Sequence, residues 1–82
     1  MDTIKLLENT EVGMYMVVVY NNNLRCPALY MGEVSPGVHQ FIDNDNIFKC
    51  TNGYIRDHIT IDQELDESEL FEIAKILEKI KA

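Results

Sequence analysis

Eighty-two residues leave room for one domain with one modest core, and 46% apolar with 9% aromatic residues excludes the lean composition of a disordered chain. Fourteen acids against seven Lys and Arg give a net charge of −7, which works against direct binding of nucleic acid or an anionic membrane surface: phosphate recognition needs bases in number, and only Arg25 and Arg56 offer forked donors. Cys26 and Cys50 are too few and too far apart for a disulfide framework and form no CxxC, so reduced, buried thiols are expected.

The chain begins without the basic start and apolar centre of a signal peptide, and no stretch is long enough to span a membrane, so a cytoplasmic protein is expected. Residues 2–12 carry Ile4, Leu6, Leu7 and Val12 behind Asp2 or Thr3 as a helix cap; a short helix and an extended lead-in strand fit equally well. Gly13 then opens Met14-Tyr15-Met16-Val17-Val18-Val19-Tyr20, an unbroken apolar run closed by Asn21-Asn22-Asn23. It reads as a strand buried on both faces, covered by a curled sheet on one side and a helix on the other. Asn tolerates the left-handed backbone of tight turns, so a hairpin follows, with Pro27–Val34 as its return arm and Gly32 marking a bend. Ser35-Pro36-Gly37 is a turn, Val38–Ile42 a third strand, Asp43–Asn46 a second polar turn and Ile47–Cys50 a fourth strand. Thr51-Asn52-Gly53 breaks the chain, Tyr54–Asp57 forms an irregular or single-turn link, and His58–Ile61 alternates as a fifth strand with Ile59 and Ile61 on one face.

The last segment is marked as a helix several times over. Asp66 and Glu69 make a capping box, Leu65 and Leu70 stand where a hydrophobic staple closes, and acids precede lysines along the expected dipole. Its apolar residues Leu70, Phe71, Ile73, Ala74, Ile76, Leu77 and Ile80 spread over about 220° of a helical wheel, wider than one sheet face requires.

The Gly-bent second strand Pro27-Ala28-Leu29-Tyr30-Met31-Gly32-Glu33, the run Phe41-Ile42-Asp43-Asn44-Asp45 and the closing Ile59-Thr60-Ile61 give a cadence that resembles the SH3-like small barrels, many of them proteins of phages and other mobile elements. The resemblance covers residues 13–61. It implies an α+β fold: a small SH3-like antiparallel β-barrel of about five strands over 13–61, with a C-terminal α-helix over 66–81 packed on it, in a single domain 1–82. Ala28-Leu29-Tyr30 matches only the start of the ALYDY-type stretch of SH3 domains proper, and the chain has no Trp. Binding of Pro-rich peptides is therefore not implied.

No residues are spaced for catalysis or metal binding. Cys26, His39, Cys50 and His58 contain no close-spaced pair of the kind zinc sites use, so buried thiols and surface histidines are expected and no metal or cofactor. Asp43-Asn44-Asp45-Asn46 starts like a calcium loop but has Phe48 in place of the glycine and Tyr54 in place of the bidentate Glu. A nucleophile elbow, a phosphate cradle and HExxH are all missing, leaving only a generic pairing of Cys50 with His39 or His58 for an enzyme. What remains is surface. Asp62, Glu64, Asp66, Glu67, Glu69 and Glu72 place six acids in eleven residues at the junction of last strand and helix. Helix-start preference accounts for Glu67 and Glu69 but not for Asp62 and Glu64.

The expectation is a non-enzymatic acidic module that binds a protein with a basic surface through this cluster, joined by Asp43 and Asp45, by mimicking the charge of phosphates. The resemblance makes its specific form a phage or mobile-element inhibitor of a host nucleic-acid enzyme, such as a CRISPR nuclease. The alternative is a housekeeping adaptor or subunit using the apolar helix flank, where Phe71 and Ile76 mark a partner or homodimer face.

Overall fold

The computed structural model describes residues 2–81. Asp2 settles the N-terminal segment as a helix: its carboxylate accepts from the Ile4 amide at 3.0 Å and caps α1 (Thr3–Glu8). The strands β1 (Tyr15–Tyr20), β2 (Arg25–Ser35), β3 (Val38–Ile42) and β4 (Ile47–Thr51) follow as a meander. Then come α2 (Asn52–His58), β5 (Ile59–Asp62) and α3 (Glu67–Lys81).

All neighbouring strands are antiparallel, in the order β4-β3-β2-β1-β5. The sheet is open: β4 and β5 are its two edges and do not pair with each other, so the hydrogen-bonded ladder does not close into the expected barrel. The turns follow the expected chemistry. Asn23 takes a φ of 66° in the first hairpin, and Asp43 closes the third by accepting from the Asp45 and Asn46 amides, both at 2.8 Å. At Gly32 the register with β3 shifts, φ is +97°, and a Cβ would stand 3.0 Å from Val12 Cγ2. The positive φ strains any other residue here, and Val12 would have to shift slightly.

Several boundaries differ from expectation. The Thr51 hydroxyl accepts from the Tyr54 amide at 3.2 Å and caps a two-turn helix, α2, where a chain break and an irregular or single-turn link are expected. Gly53 is absorbed into that helix, and His58 becomes its last residue rather than the first of β5. β2 also begins earlier than expected, at Arg25.

Alternation along the strands sends residues to two faces. Met16, Val18, Ala28, Tyr30, Phe41, Cys50 and Ile59 share one, and Leu7 of α1 with Ile55 of α2 completes that cluster. The opposite face centres on Leu29, covered by Ile73 and Ile76 of α3 with Met31, Ile42 and Leu65 around them. β1 is therefore the sandwiched strand its sequence predicts, with Val17 and Val18 both 0% exposed although they point to opposite faces. On the side opposite α3, the two short helices α1 and α2 add to the cover of β1.

Candidate functional site

Arg25 organises the acidic junction. Standing at the start of β2 on the face that carries α3, its guanidinium donates from Nε to Glu69 Oε2 at 2.7 Å and from Nη2 to Glu69 Oε1 at 3.0 Å. It also donates from Nη1 to Asp62 Oδ2 at 2.9 Å and from Nη2 to the Glu64 carbonyl at 3.3 Å. A forked, planar cation is the side chain suited to hold two carboxylates and a carbonyl at once. These bonds tie the end of β5 and the first turn of α3 to β2.

The electrostatics follow from that geometry. The hydrogen bond from Arg25 holds the Glu69 carboxyl below its ordinary range. Asp62 is lowered first by the Glu64 amide, which donates to it at 2.9 Å, and then by Arg25. Arg25 in turn is held more firmly in its charged form by Glu69 and Asp62. Glu69 is only 9% exposed and completes the capping box, with its amide donating to Asp66 Oδ1 at 2.8 Å and Glu69 Oε1 accepting from the Asp66 amide at 3.1 Å.

The eight acids singled out from the sequence therefore divide. Asp62 and Glu69 share Arg25 as their counter-ion, Asp66 caps α3, and Asp43 closes the β3–β4 turn. Glu72 accepts from Asn44 Nδ2 and lies 3.6 Å from Lys75 Nζ. That contact, with Lys79 donating to the Asn44 carbonyl, brings the β3–β4 turn and its Asp43 and Asp45 alongside α3. The groove between them, about 650 Å³, is lined by Asn44, Asp45, Glu72, Lys75, Glu78 and Lys79, so its charge is mixed. Asp45, Glu64 and Glu67 are exposed, with carboxylates that take no hydrogen bond or ion pair among the described residues.

Of the two residues expected on an apolar flank, Phe71 is 63% exposed, with Lys75 Nζ 4.7 Å above its ring. Ile76 is not on the surface. It is 1% exposed in the core against Leu29, because the inward stripe of α3 runs through Glu69, Ile73 and Ile76.

His39 is likewise placed differently from expectation. Expected on the surface, it is 1% exposed, with Nδ1 2.7 Å from the Tyr30 hydroxyl and Nε2 2.9 Å from Asn52 Oδ1. The signal was the alternation His39-Gln40-Phe41, which puts His39 on the same face as the core residue Phe41. The amide oxygen of Asn52 can only accept, so Nε2 carries a proton and donates to it. His39 is the cross-strand partner of Cys50, yet both its nitrogens are engaged elsewhere. The Cys50 thiol is 5% exposed and pushed up by burial, and that of Cys26 is pushed up by burial and by Asp43 and Asp45. Neither is set up as a thiolate nucleophile. His58 lies on the surface beside Asn21 and Tyr54. Among the described residues no three His, Cys, Asp or Glu are grouped to hold a metal ion, and no helix is long and apolar enough to cross a membrane.

No family model, curated protein or solved structure matches the chain.

Proposed function

We propose that the chain is a non-enzymatic acidic module that binds a protein with a basic surface. The observation that carries this reading is the pair of exposed, unpaired carboxylates of Asp45 and Glu64 around a junction made rigid by Arg25, in a chain of net charge −7. Rigidly mounted carboxylates in the open are what a positive groove recognises at low cost in ordering. The resemblance to SH3-like barrels of phages and mobile elements extends the reading to an inhibitor of a host nucleic-acid enzyme, such as a CRISPR nuclease, that occupies the enzyme's basic groove in place of phosphates. The order β4-β3-β2-β1-β5 and the single helix between β4 and β5 support the SH3-like part of that reading.

Capture of host proteins by the immobilised chain at low and high salt tests it. Binding through these carboxylates weakens steeply with salt, is competed by duplex DNA, and is lost when Asp45→Asn and Glu64→Gln are combined. Capture indifferent to salt and to both substitutions rejects charge mimicry. Asp62 and Glu69 are unsuitable for this test, because their loss frees Arg25 and disturbs the fold itself.

A second reading, an adaptor using the apolar flank of α3, is favoured by the exposure of Leu70, Phe71 and Leu77. Its binding is insensitive to salt and abolished by Phe71→Asp.

A further inference from the structure

We infer that the outer face of α3 is a homodimer interface, in which two copies pack antiparallel along this helix and cross at Ala74. The inference names an occupant for the apolar flank and does not rest on charge mimicry.

α3 buries one stripe, Glu69, Ile73 and Ile76, against the sheet. Turned away from it, Glu67, Leu70, Ala74, Leu77 and Lys81 repeat at alternating steps of three and four, the spacing of a helix–helix seam, and all five are exposed. Among the described residues, four of the eleven large apolar side chains left exposed lie on this one helix: Leu70, Phe71, Leu77 and Ile80. Ala74 at the middle of the seam lets two helix backbones approach closely.

The pattern is complementary to itself only when inverted. An antiparallel crossing at Ala74 sets residues equidistant from it against each other in the two copies. Glu67, in the first turn, then meets the second copy's Lys81 in the last turn, and the seam's Leu70 and Leu77 flank Ala74 in both copies. Leu70 lies against the aliphatic stem of Glu78. Each end of the dimer gains an opposite-charge contact, and the two helix dipoles run head to tail. A parallel pair would set Glu67 against Glu67 and Lys81 against Lys81. This inversion symmetry is what an isologous two-fold interface requires, and it selects a second copy over an unrelated partner. One helix per copy stands near the small end of specific interfaces, about 1,000 Å², the class of weak, reversible contacts whose dissociation constant area alone does not fix.

Sedimentation equilibrium of the full chain, from about 1 to 500 μM as suits a weak, reversible contact, reads the mass directly. The expected mass rises from 9.5 kDa toward twice that value. Glu67→Lys and Lys81→Glu each weaken the dimer about tenfold by turning both end contacts repulsive. An equimolar mixture of the two variants recovers wild-type affinity, because every end contact in the mixed dimer is again attractive. Leu77→Asp, outside the core, is monomeric with an unchanged circular dichroism spectrum. A mass of 9.5 kDa throughout overturns the inference. So does a dimer that neither charge reversal weakens, or one that mixing fails to restore. Asp45 and Glu64 lie outside the seam, so the variant used to test charge mimicry keeps its dimer mass and the two proposals fail separately.

Discussion

Arg25 is the residue on which the largest number of long-range polar contacts converge, reaching Asp62, Glu64 and Glu69 from β2. Removing a cation from such an arrangement leaves Glu69 with little exposure and no counter-charge, whereas removing both partners leaves only a packing problem. Arg25→Met is therefore expected to lower the thermal midpoint, and the double variant Arg25→Met with Glu69→Met to recover part of the loss, as thermal denaturation would measure. The depressed pKa values of Asp62 and Glu69 carry a pH dependence of definite sign. A carboxylate that titrates lower in the folded state than in the unfolded chain stabilises the fold fully above the unfolded pKa, and that contribution fades as pH falls through the folded value. The junction should thus loosen below about pH 4, with amide exchange at the start of α3 accelerating before the rest of the sheet opens. Gly32 is a second sensitive position. Gly32→Ala, with φ at +97° and Val12 in the way, is expected to cost about 2 kcal/mol in a chemical denaturation experiment.

Among the elements, α2 and α3 owe their placement to different causes. α2 has seven residues, too short to be stable alone, and is fixed by the Thr51 cap and by Ile55 in the core. Thr51→Ala should cost about 1 kcal/mol. α3 is specified locally by its capping box and charge order, but its docking depends on Ile73 and Ile76 meeting Leu29. Ile76→Ala should cost about 3 kcal/mol, in contrast to the exposed Phe71, whose replacement by Asp leaves the monomer folded. That contrast between two apolar residues of one helix was not legible in the sequence. With apolar residues spread over most of the wheel, periodicity cannot choose which stripe faces the sheet; Arg25 decides it by drawing Glu69 inward.

For the whole molecule, the sheet is the middle layer, with α1 and α2 over the larger core cluster and α3 over the smaller. Cys50 lies within the larger cluster, so its alkylation in the native protein should proceed only as fast as the molecule opens, and at the rate of a free thiol once denaturant is added. The chain order of the five strands, the turns between them and α3 followed from the sequence alone, though not every boundary, because alternation, turn residues and helix caps are local signals whose cause lies within a few residues. The conformation of residues 2–12, the conversion of the Thr51–Asp57 link into α2 and the burial of His39 between Tyr30 and Asn52 were decided by tertiary structure. So was the division of the carboxylates into clamped and free ones. α1 and α2 have local caps but are too short to persist without Leu7 and Ile55 in the core; His39 and the carboxylates depend on partners brought close from elsewhere in the chain, and residue spacing carries no record of which cation will meet which acid.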